Sequence, residues 1–239
     1  MNGGLVGIIA NDSARYSIFS SCVTSMIELL PQTEAAGAHV EWLIGGDWCE
    51  ARNSLARQTV EEERDWLWFM DDDHAFPPGL VTLLLRHNLP LVTPVCLTRT
   101  APFNAVSYVD VPHPQIVGAQ TRIPLPLSDQ PKNGLIRIAV GGCAGMLIRR
   151  EVLEAIEPPW FEYGAKSEDI IFCEKAIVAG FQLYADLDAR LGHITTAVVW
   201  PSVKDNQWVT GFTIGRDLNL YAPAAEHLLQ QEEELSLAP

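Results

Sequence analysis

The sequence predicts an α/β protein with one central, mostly parallel sheet and helices on both of its faces. Strand and helix patterns alternate over the first 70 residues, which is typical of right-handed βαβ units. Residues 66–70 are all bulky and apolar, as expected for an inner strand that is buried on both faces. Asp71, Asp72 and Asp73 follow directly, at the sheet edge where open α/β folds bind their ligands.

The first half of the chain contains four strand patterns separated by helical segments. The predicted elements are strands at 5–10, 40–44, 66–70 and 91–95 and helices at 16–30, 49–63 and 79–86. Asn11, Asp12 and Ser13 supply turn and capping residues at the start of the first helix. The loops after the first three strands should converge on one crevice, because parallel strands end at the same edge of a sheet.

The second half of the chain is less regular. Six prolines between residues 97 and 135 separate short β-prone pieces, which indicates hairpins and loops that form either an acceptor-binding insert or a passive excursion. The predicted elements that follow are strands at 135–140, 146–148 and 182–185 and helices at 151–156 and 170–179. Beyond Trp200 we expect the chain to be less regular before an acidic helix at 224–235.

Composition excludes several classes of protein. A formal net charge of −14, with only 16 lysine and arginine residues, argues against a nucleic-acid surface, because phosphate neutralisation requires clustered cations. The five cysteines are odd in number and lack CxxC spacing, so they predict neither a disulfide framework nor a zinc knuckle and fit a reducing compartment. The amino terminus lacks a signal-peptide pattern, and the apolar region 80–97 is interrupted by polar residues and a proline. We therefore expect no transmembrane segment and a cytoplasmic location.

The aspartate triplet is the first candidate site. Adjacent carboxylates repel one another unless a cation joins them, and Mg²⁺ or Mn²⁺ is the natural partner because both prefer oxygen ligands and substrate phosphates. In an extended segment Asp71 and Asp73 point to the same side and can share one ion, whereas Asp72 points elsewhere. His193 follows a glycine after a strand pattern and could complete the metal shell. The alternatives are a solvated acidic turn and a structural histidine.

Two further groups carry charges that suit phosphate or proton chemistry. Glu168 and Asp169 open a helix, where the positive end of the helix dipole favours an ionised carboxylate that can act as a base. The alternative is a plain helix cap. Arg52 and Asn53, near the start of the second helix, could reach a phosphate or a nucleobase, and a solvated helical arginine is the alternative.

Aromatic residues suggest an acceptor side. Trp160 and Phe161 could stack on a sugar ring or could cap the core, and the sequence favours neither. Glu162 beside them could hydrogen-bond an acceptor hydroxyl.

Several of these motifs together resemble a known family. The segments that carry the resemblance are ARN at 51–53, FMDDDHAFPP at 69–78, GMLIRR at 145–150, PWF at 159–161, SEDIIFC at 167–173 and GH at 192–193. In this order and spacing they resemble the GT-A glycosyltransferases, and among them the small enzymes of the family-two type, including those of bacteriophages. The resemblance extends from about residue 5 to residue 193.

The resemblance implies a role for each matching residue. Asp71 and Asp73 would form the DxD motif that holds a divalent cation and the ribose and diphosphate of the donor. Asp169, preceded by Glu168, matches the acid that serves as catalytic base in inverting members, and His193 matches a metal-binding histidine. The positions assigned to the nucleotide are Ala10, Asn11, Asp12, Arg52, Asp71 and Asp72. The usual first-loop proline or threonine is missing, and residues 97–135 match no part of the family pattern.

The resulting expectation is a glycosyltransferase that uses Mn²⁺ or Mg²⁺ and a nucleotide-diphosphate sugar, favoured to be UDP-linked, with an acceptor hydroxyl that the sequence does not identify. Inversion is favoured and retention stays open. The GT-A domain would span residues 1–222, with a nucleotide-sugar half at about 1–96, an acceptor half at about 97–222, and an acidic tail at 223–239. A bacterial cytosol, or that of a phage-infected cell, is the expected location. The alternatives are a non-catalytic nucleotide- or sugar-binding module and, less favoured, a phosphatase of the haloacid dehalogenase kind.

Overall fold

The computed structural model describes residues 3–10, 17–214 and 218–223. Its strands are β1 (Leu5–Ala10), β2 (His39–Ile44), β3 (Trp66–Asp71), β4 (His74–Ala75), β5 (Leu91–Cys96), β6 (Ser107–Pro112), β7 (Gln120–Pro124), β8 (Leu135–Ile138), β9 (Val140–Gly141), β10 (Leu147–Arg149), β11 (Leu183–His193), β12 (Ala197–Lys204), β13 (Gln207–Ile214) and β14 (Leu218–Pro223). Its α-helices are α1 (Ser17–Leu29), α2 (Trp48–Glu61), α3 (Leu80–Arg86), α4 (Arg150–Glu154) and α5 (Glu168–Val178).

The central sheet has the strand order β2-β1-β3-β10-β5-β11-β4, with β8 paired to β11. The pairs β1–β2, β1–β3 and β5–β11 are parallel, which confirms the predicted mostly parallel α/β sheet. β10 lies antiparallel between β3 and β5, a position that the sequence did not reveal. Because β10 has only three residues, its apolar pattern carries no information on direction.

The core forms around β3. All six of its residues are buried, as the continuous apolar pattern predicted. Leu55 of α2 and Phe172 of α5 belong to the same buried cluster as Phe69 of β3. The helices that supply the candidate site residues are therefore fixed to the sheet by apolar contacts.

The proline-rich segment forms hairpin and loop structure, as predicted. β6 pairs antiparallel with β7 and with β9 in a second sheet of three strands. Whether this segment binds an acceptor stays a prediction.

The chain divides into two compact units. The first comprises Met1–Leu97 and Asn104–His193, and the second comprises Thr98–Phe103 and Ile194–Pro239. The second unit contains an antiparallel sheet in the order β12-β13-β14, so the expectation that the chain is less regular beyond Trp200 is wrong. Asp205 and Asn206, with φ of 51° and 63°, form the two-residue turn that joins β12 to β13. The acidic tail predicted at 223–239 lies, apart from its first residue, outside the described residues, and the predicted domain boundaries stay a prediction.

Two absences were predicted from the sequence. No helix in the described part of the chain is long and apolar enough to cross a membrane. All five cysteines are free thiols.

Candidate active site

A crevice of about 190 Å³ opens at the carboxyl edge of the central sheet. Its walls come from the ends of β3, β5 and β11, the first turns of α2 and α5, and the loop after β9. The lining residues that carry charge or metal-binding atoms are Arg52, Asp71, His74, Cys96, Cys143, Glu168, Asp169 and His193. Residues from four predicted motifs thus meet at the edge where the strand pattern placed the ligand site.

Arg52 is a buried cation in the wall of this crevice. Its side chain is 3% exposed, and its Nη2 donates to both oxygens of Asp71 at 2.9 and 3.2 Å. Its Nε lies 3.5 Å from Glu168 Oε1, and its guanidinium carbon lies 5.0 Å from the centre of the Phe69 ring. Burial, the largest single effect, would lower the pKa of Arg52, but the charge and hydrogen bond of Asp71 together with the charges of Cys143 and Glu168 outweigh it and raise the pKa, so the guanidinium stays charged.

Two nitrogen atoms of Arg52, Nε and Nη1, form no hydrogen bond in the described part of the chain, and of the two only Nε has a carboxylate nearby, that of Glu168. Nη1 is buried and has no hydrogen-bond partner within the described part of the chain. An unsatisfied buried donor costs about 1–3 kcal/mol, and more when the group is charged. A ligand oxygen that accepts this bond would recover that cost, so Arg52 is suited to bind an anion in the crevice.

Two histidines form a second charged cluster with Asp73. His74 Nδ1 lies 2.7 Å from Asp73 Oδ1, and His193 Nε2 lies 3.3 Å from Asp73 Oδ2. The two imidazole rings stack with their centres 4.1 Å apart. Burial opposes the charge of each group, but hydrogen bonding within the cluster outweighs it: the pKa of Asp73 falls, and the pKa values of His74 and His193 rise to about 9 and about 10. Contacts with the same imidazoles lower the pKa of the Cys96 thiol against the effect of its burial.

These residues fit a divalent cation, although not in the predicted set. Asp73 and His193 lie together as expected, whereas Asp71 is paired with Arg52. Ligand atoms of His74, Cys96 and His193 lie within 4.8 Å of one another. Neither His74 nor Cys96 was predicted from the sequence as a candidate ligand. The available signal was their position, because each lies in a predicted strand-end segment at the same sheet edge as Asp73.

Glu168 and Asp169 begin α5 in different environments. Glu168 faces Arg52, as given above, whereas Asp169 Oδ1 accepts hydrogen bonds from the Ser167 hydroxyl and, at 2.7 Å, from the Ile170 N–H. Ser167 precedes the helix but its side chain makes no capping hydrogen bond. Asp169 Oδ2 lies 3.8 Å from the point where a Cβ on Gly142 would stand. The same point lies 2.8 Å from Val106 Cγ1, so the glycine allows Val106 to pack closely beside this oxygen.

The predicted nucleotide positions are only partly described. Ala10 ends β1 and is buried, and its carbonyl oxygen accepts a hydrogen bond from the Gly45 N–H at 2.8 Å. Asn11 and Asp12 lie outside the described residues. Asp72 is 1% exposed, and its N–H donates to the Ile9 carbonyl at 3.2 Å, so its backbone continues the pairing of β3 with β1.

The predicted acceptor residues do not line the crevice. Trp160 and Phe161 lie in the core: the Trp160 indole N–H donates to the Leu153 carbonyl at 2.8 Å, and the Phe161 ring stacks on Phe172 at 4.6 Å. Of the two interpretations of these rings, packing in the core is therefore correct and stacking on a sugar is wrong, because both ring faces are already covered by protein. Glu162 forms an ion pair with Lys175 and is 45% exposed.

Similarity to known proteins is confined to structure. No protein-family model and no curated protein matches this sequence. Among solved structures, the chain is similar to A197 from STIV, with a TM-score of 0.50 and 16% identity over 85% of this chain and 100% of that one. It is also similar to GalNAc-T7 in a complex with UDP, GalNAc and Mn²⁺, with a TM-score of 0.52 and 13% identity over 80% of this chain and 43% of that one. These likenesses establish a GT-A-like α/β fold, as the sequence predicted.

Proposed function

We propose that this chain is a glycosyltransferase that moves a sugar from a nucleotide-diphosphate donor, a UDP-sugar, to an acceptor hydroxyl with the help of a divalent cation. The observation that carries this proposal is the buried Arg52, which has an unpaired Nη1 and lines the same crevice as His193, the partner of Asp73. An arginine donor together with a metal-binding group is the arrangement that a diphosphate requires.

The charge of the crevice explains why a cation is needed. Asp71, Glu168 and Asp169 line it and Asp73 adjoins it, while the cations are Arg52 and, without a metal, the imidazoles of His74 and His193, whose pKa values are raised to about 9 and about 10. A diphosphate entering this set would be repelled by the carboxylates. A bound divalent cation neutralises the charge that develops on the leaving diphosphate. We therefore expect the affinity for UDP to depend on metal.

Asp169 is the proposed catalytic base. Both of its described hydrogen bonds go to Oδ1, and the residue lines the crevice together with Gly142. Glu168 is already close to Arg52 and is better suited to hold that guanidinium in place. In the proposed reaction Asp169 takes the proton of the acceptor hydroxyl, which attacks the anomeric carbon in line as the nucleoside diphosphate leaves. A single displacement of this kind inverts the anomeric configuration.

The choice of UDP as the donor nucleotide is supported by one observation from outside the site. GalNAc-T7 was crystallised with UDP, GalNAc and Mn²⁺, and its similar fold supports UDP as the first nucleotide to test. In this proposal Ala10, Asn11 and Asp12 adjoin the nucleoside, as the family resemblance implies.

The test separates binding from transfer with two variants. We expect calorimetric titration with UDP to show binding in MnCl₂ or ZnCl₂ that is lost in EDTA and in Asp73→Ala. Asp169→Asn should keep the affinity for UDP but lower the rate of UDP release from a UDP-sugar by about 10²–10⁴-fold, because proton transfer to a positioned base contributes that much. Glu28→Gln, an exposed carboxylate of α1, is the control and should change neither quantity.

Two outcomes would contradict the proposal. Binding of UDP without turnover of any UDP-sugar in a panel would favour a non-catalytic module. Equal loss of binding and turnover in a folded Asp169→Asn protein would identify Asp169 as a ligand or a helix cap instead of the base.

A further inference from the structure

Strands that are distant in sequence bring two histidines and a cysteine together. β4 pairs antiparallel with β11 so that His74 lies opposite His193, and Cys96 at the end of β5 is the register partner of Leu191 in β11. Ligand atoms of the three side chains lie within 4.8 Å of one another. His74 and Cys96 are buried, so the sheet itself holds these atoms together at the inner end of the crevice wall.

The orientation of His193 is fixed by a backbone carbonyl. Its Nδ1 lies 2.8 Å from the Leu97 carbonyl oxygen and must donate to it, which leaves Nε2 directed to Asp73 and the cluster. Metal-binding histidines commonly donate their second ring N–H in this way, since the bond selects the tautomer whose other nitrogen is a ligand. The contact thus prepares Nε2 to coordinate an ion.

The chemistry of these donors differs from that of an oxygen site. Two imidazole nitrogens and a thiol form a mixed N and S set, with Asp73 as an adjacent oxygen donor. Imidazole and thiolate ligands favour zinc over magnesium or manganese, and Mn²⁺ binds most weakly in the series of divalent first-row metals. Three protein ligands with one position left for substrate is the usual arrangement of a catalytic zinc.

We propose that His74, Cys96 and His193, with Asp73 beside both imidazoles, select a zinc-type cation, Zn²⁺ or the chemically similar Co²⁺, over the Mn²⁺ or Mg²⁺ that the family resemblance implies. This inference rests on the proposed function only in that it names the cation of the same site. The competing explanation is a hydrogen-bonded cluster in which protonated histidines neutralise Asp73 and no metal binds the thiol.

Cobalt spectroscopy separates the two explanations without nucleotide. The full chain, stripped of metal with EDTA and then freed of the chelator, is titrated anaerobically with Co²⁺. We expect a near-ultraviolet thiolate-to-cobalt charge-transfer band and strong visible bands of four-coordinate cobalt, both saturating at one equivalent. Cys96→Ser should lose the charge-transfer band and bind Zn²⁺ at least about 100-fold more weakly, since even outer-shell changes cost 10–100-fold. Cys22→Ser, which removes a half-buried thiol of α1, is the matched control and should keep the band.

Competition in the wild-type protein gives a second measurement that needs no variant. One equivalent of Zn²⁺ should abolish the cobalt bands, whereas Mn²⁺ or Mg²⁺ in about 100-fold excess should leave them unchanged. Absence of a charge-transfer band, its persistence in Cys96→Ser, or displacement of cobalt by an equal concentration of Mn²⁺ would overturn the inference. A thiolate-bound cobalt in a protein that fails to bind UDP would contradict the proposed function alone, and UDP binding with Mn²⁺ but no cobalt band would contradict the zinc site alone.

Discussion

At the scale of single residues, Asn53 shows how one amide can connect the elements around a site. Its Nδ2 donates to the carbonyls of Cys49 and Phe161 at 2.8 and 2.6 Å, and its Oδ1 accepts from the N–H groups of Trp160 and Phe161 at 2.9 and 3.0 Å. These bonds join α2, which carries Arg52, to the segment ahead of α5. The sequence suggested a phosphate or base contact for Asn53, and the structure gives it this bridging role instead.

Replacement of Asn53 should therefore lower stability. We expect Asn53→Ala to reduce the free energy of unfolding by about 2–4 kcal/mol, because several part-buried backbone groups would lose their partners at once. Urea denaturation followed by circular dichroism measures this change. Ser54→Ala, at the exposed neighbouring position of α2, is the control and should stay within about 0.5 kcal/mol of wild type. An Asn53→Ala protein as stable as the control would show that water replaces these bonds without cost.

The residues of the metal-binding cluster differ in how well the sequence predicts them. Asp73 and His193 were predicted as a pair because each follows a strand pattern at the same edge. Cys96 was not, although it follows a predicted strand of the same edge, because its approach to His74 and His193 depends also on the register of β5 and β4 against β11, and a single sequence does not specify that register.

At the scale of elements, the close approach of α2 to β1 determines where Arg52 can lie. A Cβ on Gly7 would stand 2.5 Å from Leu55 Cδ1, so the glycine lets the helix pack directly on the strand. Leu55 is fully buried, and the same helix carries Arg52 and Asn53 toward the crevice. The sequence predicted both elements to within a few residues but gave no sign of this contact.

A substitution that fills the space at Gly7 should be destabilising. We expect Gly7→Ala to lower the free energy of unfolding by about 1–3 kcal/mol, since an added methyl group forces Leu55 or the backbone to move. The double variant Gly7→Ala/Leu55→Ala should lose less than the sum of the two single changes, because the shorter side chain makes room. Thermal or urea unfolding of the four proteins tests this, and strict additivity would mean that the two residues do not compete for space.

Elements whose patterns repeat over several residues were the ones predicted best. The bounds of β1 agree with the sequence interpretation, and those of β3 and α2 differ from it by one or two residues at an end. The sheet of β12, β13 and β14 was missed because its strands lack a clear alternation. Its turn at Asp205 and Asn206 was a usable signal, since this pair tolerates positive φ.

At the scale of the whole first unit, topology decides which cavity can serve as the site. A larger cavity of about 830 Å³ lies at the opposite edge of the sheet, where Gly4 precedes β1 and Trp66 begins β3. Ligands of open α/β folds bind outside the carboxyl ends of the strands, and the charged groups Arg52, Asp73 and His193 are found there. The smaller crevice is therefore the functional candidate, and its location follows from strand direction, which the βαβ pattern did predict.

The most direct test of this account is the crystal structure of the chain with UDP and a divalent cation at saturating concentration, with the cation identified by anomalous scattering. We predict a cation beside Asp73 and His193, and a diphosphate oxygen within hydrogen-bonding distance of Arg52 Nη1. UDP bound in the cavity at the opposite edge, or an empty crevice in crystals that contain both ligands, would contradict it.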